Sequence, residues 1–172
     1  LNEVFDGDQE LINFVQRAVG YTLTGLTREQ VFFFCYGTGR NGKTTLFAVL
    51  RALLGDYAHN TAFSTFIRER NSNAHDDDLM SLEGARIVTA QESKTVTVLA
   101  EDVLKNIAGS DPITGSRKYE HTRTFQPGFK VWLAANNLPK VHDVTEGFWR
   151  KVVLLPFNAR FEGAREDRQL TE

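Results

Sequence analysis

Residues Gly37, Thr38, Gly39, Arg40, Asn41, Gly42, Lys43 and Thr44 satisfy G-x-x-x-x-G-K-[ST] at each fixed position. The chemistry of that pattern is phosphate binding. Gly37 and Gly42 let the backbone turn its N–H groups toward phosphate oxygens with no Cβ in the way. Lys43 supplies a point charge to the β- and γ-phosphates, and the Thr44 hydroxyl can ligate Mg²⁺. A helix opening at Lys43 directs its positive end at the same anion. Thr45 follows directly and belongs to the same nucleotide-binding run.

A phosphate-loop hydrolase also needs a carboxylate at the end of a neighbouring strand, to hold Mg²⁺ or orient the attacking water. Residues 86–91 read as a strand, and Glu92 is the one acid at its end. It serves either as the general base near the γ-phosphate or as a surface glutamate after a core strand. The loop beside it favours the first reading.

These groups need elements to hold them. Residues 31–36 form a continuous run of β-branched and aromatic residues, as in a strand buried on both faces. Residues 43–54 have helical spacing and end at Gly55, a natural C′ residue. Before the loop, residues 8–19 read as an amphipathic helix with Asp8 as N-cap, Leu11, Phe14, Val15, Ala18 and Val19 inward, and a break at Gly20. Residues 56–85 mix turn signals with a short acidic helix near 74–82. Strands follow at 86–91, 130–135 and 152–156, a helix at 98–108, and β-like residues over 112–126 around a turn near Glu120. Strands alternating with helices predict an α/β fold with a mainly parallel sheet flanked by helices.

Composition restricts the rest. A hydrophobic fraction of 41% with 24% charged residues fits a folded globular chain. Twenty basic against 22 acidic residues leave bulk charge silent on nucleic acid, so any such contact needs a local patch. No apolar run is long enough to span a bilayer, and nothing in the opening residues reads as a signal peptide. Cys35 has no internal disulfide partner and reads as a buried spectator. The four histidines, at 59, 75, 121 and 142, show no zinc-ligand spacing with it. Asp76, Asp77 and Asp78 read as a solvated helix start, and Arg165 to Arg168 as a solvated face. Leu1 is no initiator methionine and the polar tail stops without a cap, so the chain reads as a domain of a larger protein. A cytoplasmic setting, that of a host cell, is expected.

Five blocks in order, GTGRNGKTT (37–45), RIVTAQES (86–93), LKNIAGSDPITGSRKY (104–119), FKVWLAANNLP (129–139) and FWRKVVLLPF (148–157), resemble the superfamily III helicases, specifically the phage, plasmid and poxvirus primase-helicase branch. The resemblance covers roughly 120 residues. It implies an AAA+-like P-loop NTPase core over 31–160 with a β-hairpin insertion, a remnant of an oligomerisation region over 1–30, and the start of a C-terminal segment over 161–172. It further implies ATP and Mg²⁺, hydrolysis between subunits of a hexameric ring, and movement along single-stranded DNA. The same resemblance implies a primase domain in the parent chain as a partner.

Carried over residue by residue, Lys43, Glu92, Asn136 and Arg150 are the catalytic set, with Thr44 and Glu92 toward the metal. Many members of the family have two adjacent acids where this chain has Gln91-Glu92. Asn136 matches the residue that senses the γ-phosphate; without the family, residues 136–139 read as a turn after a strand. Arg150 matches an arginine inserted into the neighbouring subunit's site, with Lys151 as the alternative. Arg117, Lys118, Tyr119 and His121 fall where the family carries its DNA-tracking hairpin, with Arg123 and Lys130 nearby. Cations and an aromatic at a tip suit a single strand, although exposed hairpins are also charged to stay soluble.

The leading expectation is an ATP-dependent DNA helicase or translocase of a phage, prophage or plasmid. Its rival is a ring-forming ATP-binding scaffold or primase loader with little unwinding. A small-molecule kinase leaves the residues 117–119 unexplained, and a GTPase lacks its N-K-x-D base-reading motif.

Overall fold

The computed structural model describes residues 1–68, 73–92, 98–116, 121–142 and 145–167, with side chains at 73–76 and 164 not described. Five parallel strands make the central sheet: β1 (Phe32–Tyr36), β2 (Ala58–Asn60), β3 (Ile87–Gln91), β6 (Lys130–Ala135) and β7 (Val152–Pro156), in the order β2-β3-β6-β1-β7. β4 (Ile113–Gly115) and β5 (Arg123–Phe125) form a separate antiparallel hairpin. The helices are α1 (Gln9–Leu23), α2 (Lys43–Leu54), α3 (Asn73–Met80), α4 (Glu101–Gly109) and the single turn α5 (Glu146–Trp149).

β1 and β6 are buried along almost their whole length because helices cover both faces, which is why their sequences are unbroken apolar runs rather than alternating ones. Successive side chains nevertheless separate by face. Phe33, Cys35, Trp132 and Ala134 meet Phe47, Leu50 and Leu54 of α2 and Ile12, Val15 and Ala18 of α1. Phe32, Phe34, Val131, Leu133 and Ala135 point the other way, toward Met80, Leu104, Ile107, Phe125 and Phe148.

Several boundaries differ from the sequence expectation. Asp8 does cap α1, its Oδ1 accepting the Leu11 N–H at 3.0 Å. The helix then runs through Gly20 to Leu23 instead of breaking, and its inward face is Ile12, Val15, Ala18 and Thr22, with Phe14 exposed. The extra turn has a polar reason. Trp132 is fully buried, and its indole N–H donates to the Thr22 hydroxyl at 3.1 Å. A buried donor of that kind must be satisfied, and Thr22 is where α1 supplies the acceptor. The expected helix over 98–108 starts only at Glu101, because Val98 and Leu99 are spent in β-bridges to Lys140 and Ile67. β2, an edge strand of three residues, was hidden within turn-like sequence.

Candidate functional site

The loop leaves the C-terminal end of β1, and β1 is the point where the chain's route through the sheet reverses: β2, β3 and β6 lie to one side and β7 to the other. Ligands of open α/β sheets bind in the crevice at such a point. Two glycines there are dictated by close approach. At Gly37, with φ +149°, a Cβ would lie 2.2 Å from the Phe157 carbonyl oxygen and 2.5 Å from Asn41 Nδ2. At Gly42, with φ +86°, it would lie 2.9 Å from Val4 Cγ2.

Lys43 is buried. Its ammonium donates to the Gly37 carbonyl at 2.6 Å and to Asn41 Oδ1 at 2.9 Å. Asn41 in turn donates from Nδ2 to the Phe157 carbonyl at 3.0 Å, tying the loop to the residue after β7. Burial pushes the Lys43 pKa down, because desolvation disfavours the charged ammonium. Cys35, beneath the loop, is buried and its thiol is pushed up by desolvation, as befits a spectator.

Thr44 is exposed in the first turn of α2, and its hydroxyl donates to Gln91 Oε1 at 3.1 Å. The end of β3 is therefore brought to the loop although β6 lies between β3 and β1. Glu92 is the next residue, half-buried, with its N–H donating to the Ala134 carbonyl at 2.8 Å. That bond extends the β3–β6 ladder one step and fixes the backbone that carries the acid. Asn136 is exposed just after β6, and its Oδ1 lies 4.0 Å from where a Cβ on Gly39 would be. Thr38 and Arg40 are exposed and Thr45 half-buried along the same rim. Arg40 pairs with Glu162 at 3.7 Å.

The donor set fits Mg²⁺. Thr44, Gln91 and Glu92 offer hard oxygens, and among the described residues no group of three His, Cys, Asp or Glu side chains could hold a metal alone. Mg²⁺ is typically held by one or two protein groups plus substrate phosphates, so a sparse protein shell suits it.

Arg150 is brought to none of this. It caps α5 just before β7, and β7 pairs in register with β1, Phe32 with Val152 and Tyr36 with Pro156. The loop begins at the other end of those strands, so a five-residue strand, about 17 Å, separates Arg150 from the site of its own chain. Its side chain is exposed. Lys151, the alternative, turns inward instead: it is buried, donates to Gln30 Oε1 at 3.3 Å, and has its pKa pushed down by burial and then by Arg150.

Of the hairpin cluster, Arg117, Lys118 and Tyr119 lie outside the described residues. His121 is exposed before β5, and Arg123 pairs with Glu83 at 3.8 Å. Lys130 does not belong to that surface. It is buried at the start of β6, where its ammonium donates to the Thr24 carbonyl and sits 4.5 Å from the centre of the Tyr21 ring. Burial, and then the neighbouring Arg86 charge, pull its pKa down to about 8.

Sequence reasoning did not find the tie from Asn41 to Phe157 or the seat of Val4 against Gly42. Both join residues far apart in the chain, and neither carries a local pattern.

The family model for DUF5906, a family of unknown function, matches residues 35–151. A putative helicase of Acanthamoeba polyphaga mimivirus is 27% identical over 155 residues, covering 90% of this chain and 16% of that protein. A putative helicase of Frog virus 3 is 26% identical over 159 residues, with the same coverages of 90% and 16%. The chain thus spans about a sixth of the curated relatives it matches. Among solved structures, the C-terminal region of NrS-1 superposes with a TM-score of 0.67 at 14% identity, covering 99% of this chain and 40% of that one. The JCV helicase does so at 0.52 and 19% identity, covering 77% and 37%. The P-loop fold with its parallel sheet and flanking helices is therefore shared with helicase domains, and the chain itself belongs to the family DUF5906.

Proposed function

We propose that this chain is the ATP-hydrolysing core of a superfamily III type DNA helicase of a virus or mobile element. The observation that carries the reading is one convergence: Lys43, Thr44 with Gln91, Glu92 and Asn136 gather at the carboxyl ends of β1, β3 and β6 around a loop that only glycine can form at Gly37.

In this mechanism the loop amides from Thr38 to Thr45 bind the phosphates of ATP. Lys43 exchanges the Gly37 carbonyl for the β- and γ-oxygens. Thr44, held by Gln91, presents its hydroxyl to Mg²⁺, which when bound neutralises charge developing on the phosphates. Glu92 orients and deprotonates the attacking water. Asn136 holds the γ-phosphate end, close to Gly39. Arg150 reaches the site of a neighbouring subunit, since the strand length keeps it from its own, and stabilises the transferred phosphoryl group there. The hairpin β4–β5, through Arg117, Lys118, Tyr119 and His121, contacts single-stranded DNA. Residues 1–30 belong to an oligomerisation region in this reading, and a hexameric ring of the full-length protein, with a primase domain in the same chain, is its setting.

A second reading, an ATP-binding scaffold or primase loader with little unwinding, is favoured by Gln91, a neutral amide beside Thr44 where an acid would strengthen metal binding. ATP turnover with and without single-stranded DNA, with mass measured at the same concentration, separates the two. The helicase reading expects DNA-stimulated hydrolysis that Lys43→Met abolishes. Binding without DNA-stimulated turnover supports the scaffold, and turnover unchanged in Lys43→Met overturns the nucleotide site.

A further inference from the structure

At the end of the sheet opposite the loop, the entries to β2, β3 and β6 stand side by side. The Arg86 N–H donates to the Tyr57 carbonyl at 2.8 Å, and the Lys130 N–H to the Arg86 carbonyl at 3.0 Å. The half-buried Arg86 side chain packs against two glycine backbones. A Cβ on Gly25 would lie 3.3 Å from its Cζ, and one on Gly128 3.2 Å from its Nη1. The Tyr57 ring flanks it, with its centre 5.8 Å from Cζ.

This guanidinium has five N–H donors and is always charged. Among the described residues its side chain makes one hydrogen bond, from Nη1 to the Ala85 carbonyl at 3.5 Å, which is at the long limit for such a bond. No described carboxylate pairs with it, Asp56 beside Tyr57 included. Its charge acts instead on the buried Lys130 ammonium, which has the same sign. The surface here is otherwise apolar. Leu23 and Leu26 flank Gly25 in the chain, and Leu53 sits in the last turn of α2, just before Tyr57. Among the described residues six large apolar side chains are at least half exposed, and these four are among them, at 50–68%. Exposed apolar side chains scattered singly are ordinary, but a set gathered about one unpaired cation marks a binding surface.

We propose that this face, carrying Arg86 with Leu23, Leu26, Leu53 and Tyr57, docks a protein segment in which a carboxylate is flanked by apolar side chains. Charge selects the occupant. A carboxylate takes two parallel N–H bonds from the guanidinium fork, and its apolar flanks cover the leucines, giving an apolar patch with one anchored polar pair. A nucleic-acid strand suits the face poorly, because phosphate binding draws on many exposed cations and the leucines offer a phosphate nothing. A second copy docked through the same face would bring two Arg86 guanidinium groups together. The face lies at the other end of the strands from the phosphate loop, so it stands whether or not a nucleotide binds there.

Selection from a random dodecapeptide library displayed on phage tests this, with the wild-type chain as bait and the double variant Leu26→Glu, Leu53→Glu as counter-bait. Both positions are exposed, so the double variant is expected to keep the wild-type melting temperature while its acids repel the ligand. Enriched peptides are expected to carry Asp or Glu with Leu, Ile or Phe on both sides. The leading peptide, made free, should bind the wild type at least tenfold more tightly than the double variant. It should also lose at least tenfold when its acid is replaced by the matching amide. Arg86→Lys keeps the charge without the fork and should weaken binding several-fold. Enrichment of no peptide, of peptides without an acid, or of peptides that bind all variants equally overturns the proposal. So does a single-stranded oligonucleotide that binds the wild type and not the double variant, which assigns the face to nucleic acid. Concentration-dependent dimerisation lost in the double variant assigns it to a second copy and overturns the proposal equally.

Discussion

Replacing Gly37 by alanine puts a methyl group 2.2 Å from the Phe157 carbonyl oxygen and 2.5 Å from Asn41 Nδ2. Relief needs a shift of about 1 Å in one of them, since an ordinary C···O contact is about 3.3 Å. Neither is free to move. Phe157 is held by its N–H to the Tyr36 carbonyl at 2.8 Å, and its own carbonyl takes the Asn41 amide at 3.0 Å. Losing that buried hydrogen bond costs about 1–3 kcal/mol, and the positive φ adds about 1–3 kcal/mol for a residue with a Cβ. A total near 4 kcal/mol lowers the melting temperature of a domain this size by roughly 8–16 °C. Gly55→Ala is the control: its φ is also positive, at +51°, but a Cβ there meets nothing within 4 Å. Thermal denaturation of both variants, with ATP affinity measured below the transition, reads out the difference. Gly37→Ala should melt well below Gly55→Ala and lose ATP affinity at least tenfold, because Lys43 and Asn41 lose their shared frame. Equal melting temperatures with ATP binding intact would refute the close-packed loop.

Arg150→Ala should lose hydrolysis roughly a thousandfold and regain measurable turnover when mixed with Lys43→Ala subunits, each supplying what the other lacks; absence of any rescue argues against a site shared between chains. Gln91→Glu places a carboxylate beside the Thr44 hydroxyl and should tighten Mn²⁺ binding to the ATP complex about tenfold by spin-resonance titration; unchanged affinity would remove Gln91 from the metal's surroundings. Lys130 gives a pH effect with a defined sign. Its folded pKa, about 8, lies below its ordinary value of 10.5, so between those values the unfolded chain holds more protons and stability rises with pH. The size is about 3 kcal/mol. Cys35, pushed the other way by burial, opposes this above about pH 9, so the comparison with Lys130→Met isolates the lysine. The variant's advantage should be largest below pH 8 and shrink toward pH 10.5; parallel stability curves would show that Lys130 carries no such penalty.

Local patterns were enough for β1 and α2 on either side of the loop at residues 37–42, and for the parallel α/β class, because each rests on residue spacing within a short stretch. Two buried faces make an unbroken apolar strand, a 3.6-residue period makes a covering helix, and glycines let the chain turn sharply between the two. What lay outside such patterns was decided by partners distant in the chain. Lys130 looked like a hairpin cation until β6 carried it beneath Tyr21 and Thr24. α1 passes Gly20 because Trp132, 110 residues from Thr22, needs a buried acceptor. Gln91 meets Thr44 only because the sheet order places the β3 terminus within reach of the loop, and Asn41 meets Phe157 only because β7 lies along β1. A chain's own spacing specifies which groups exist and on what element they ride. Which of them face one another depends on the packing of strands and helices that are far apart in sequence.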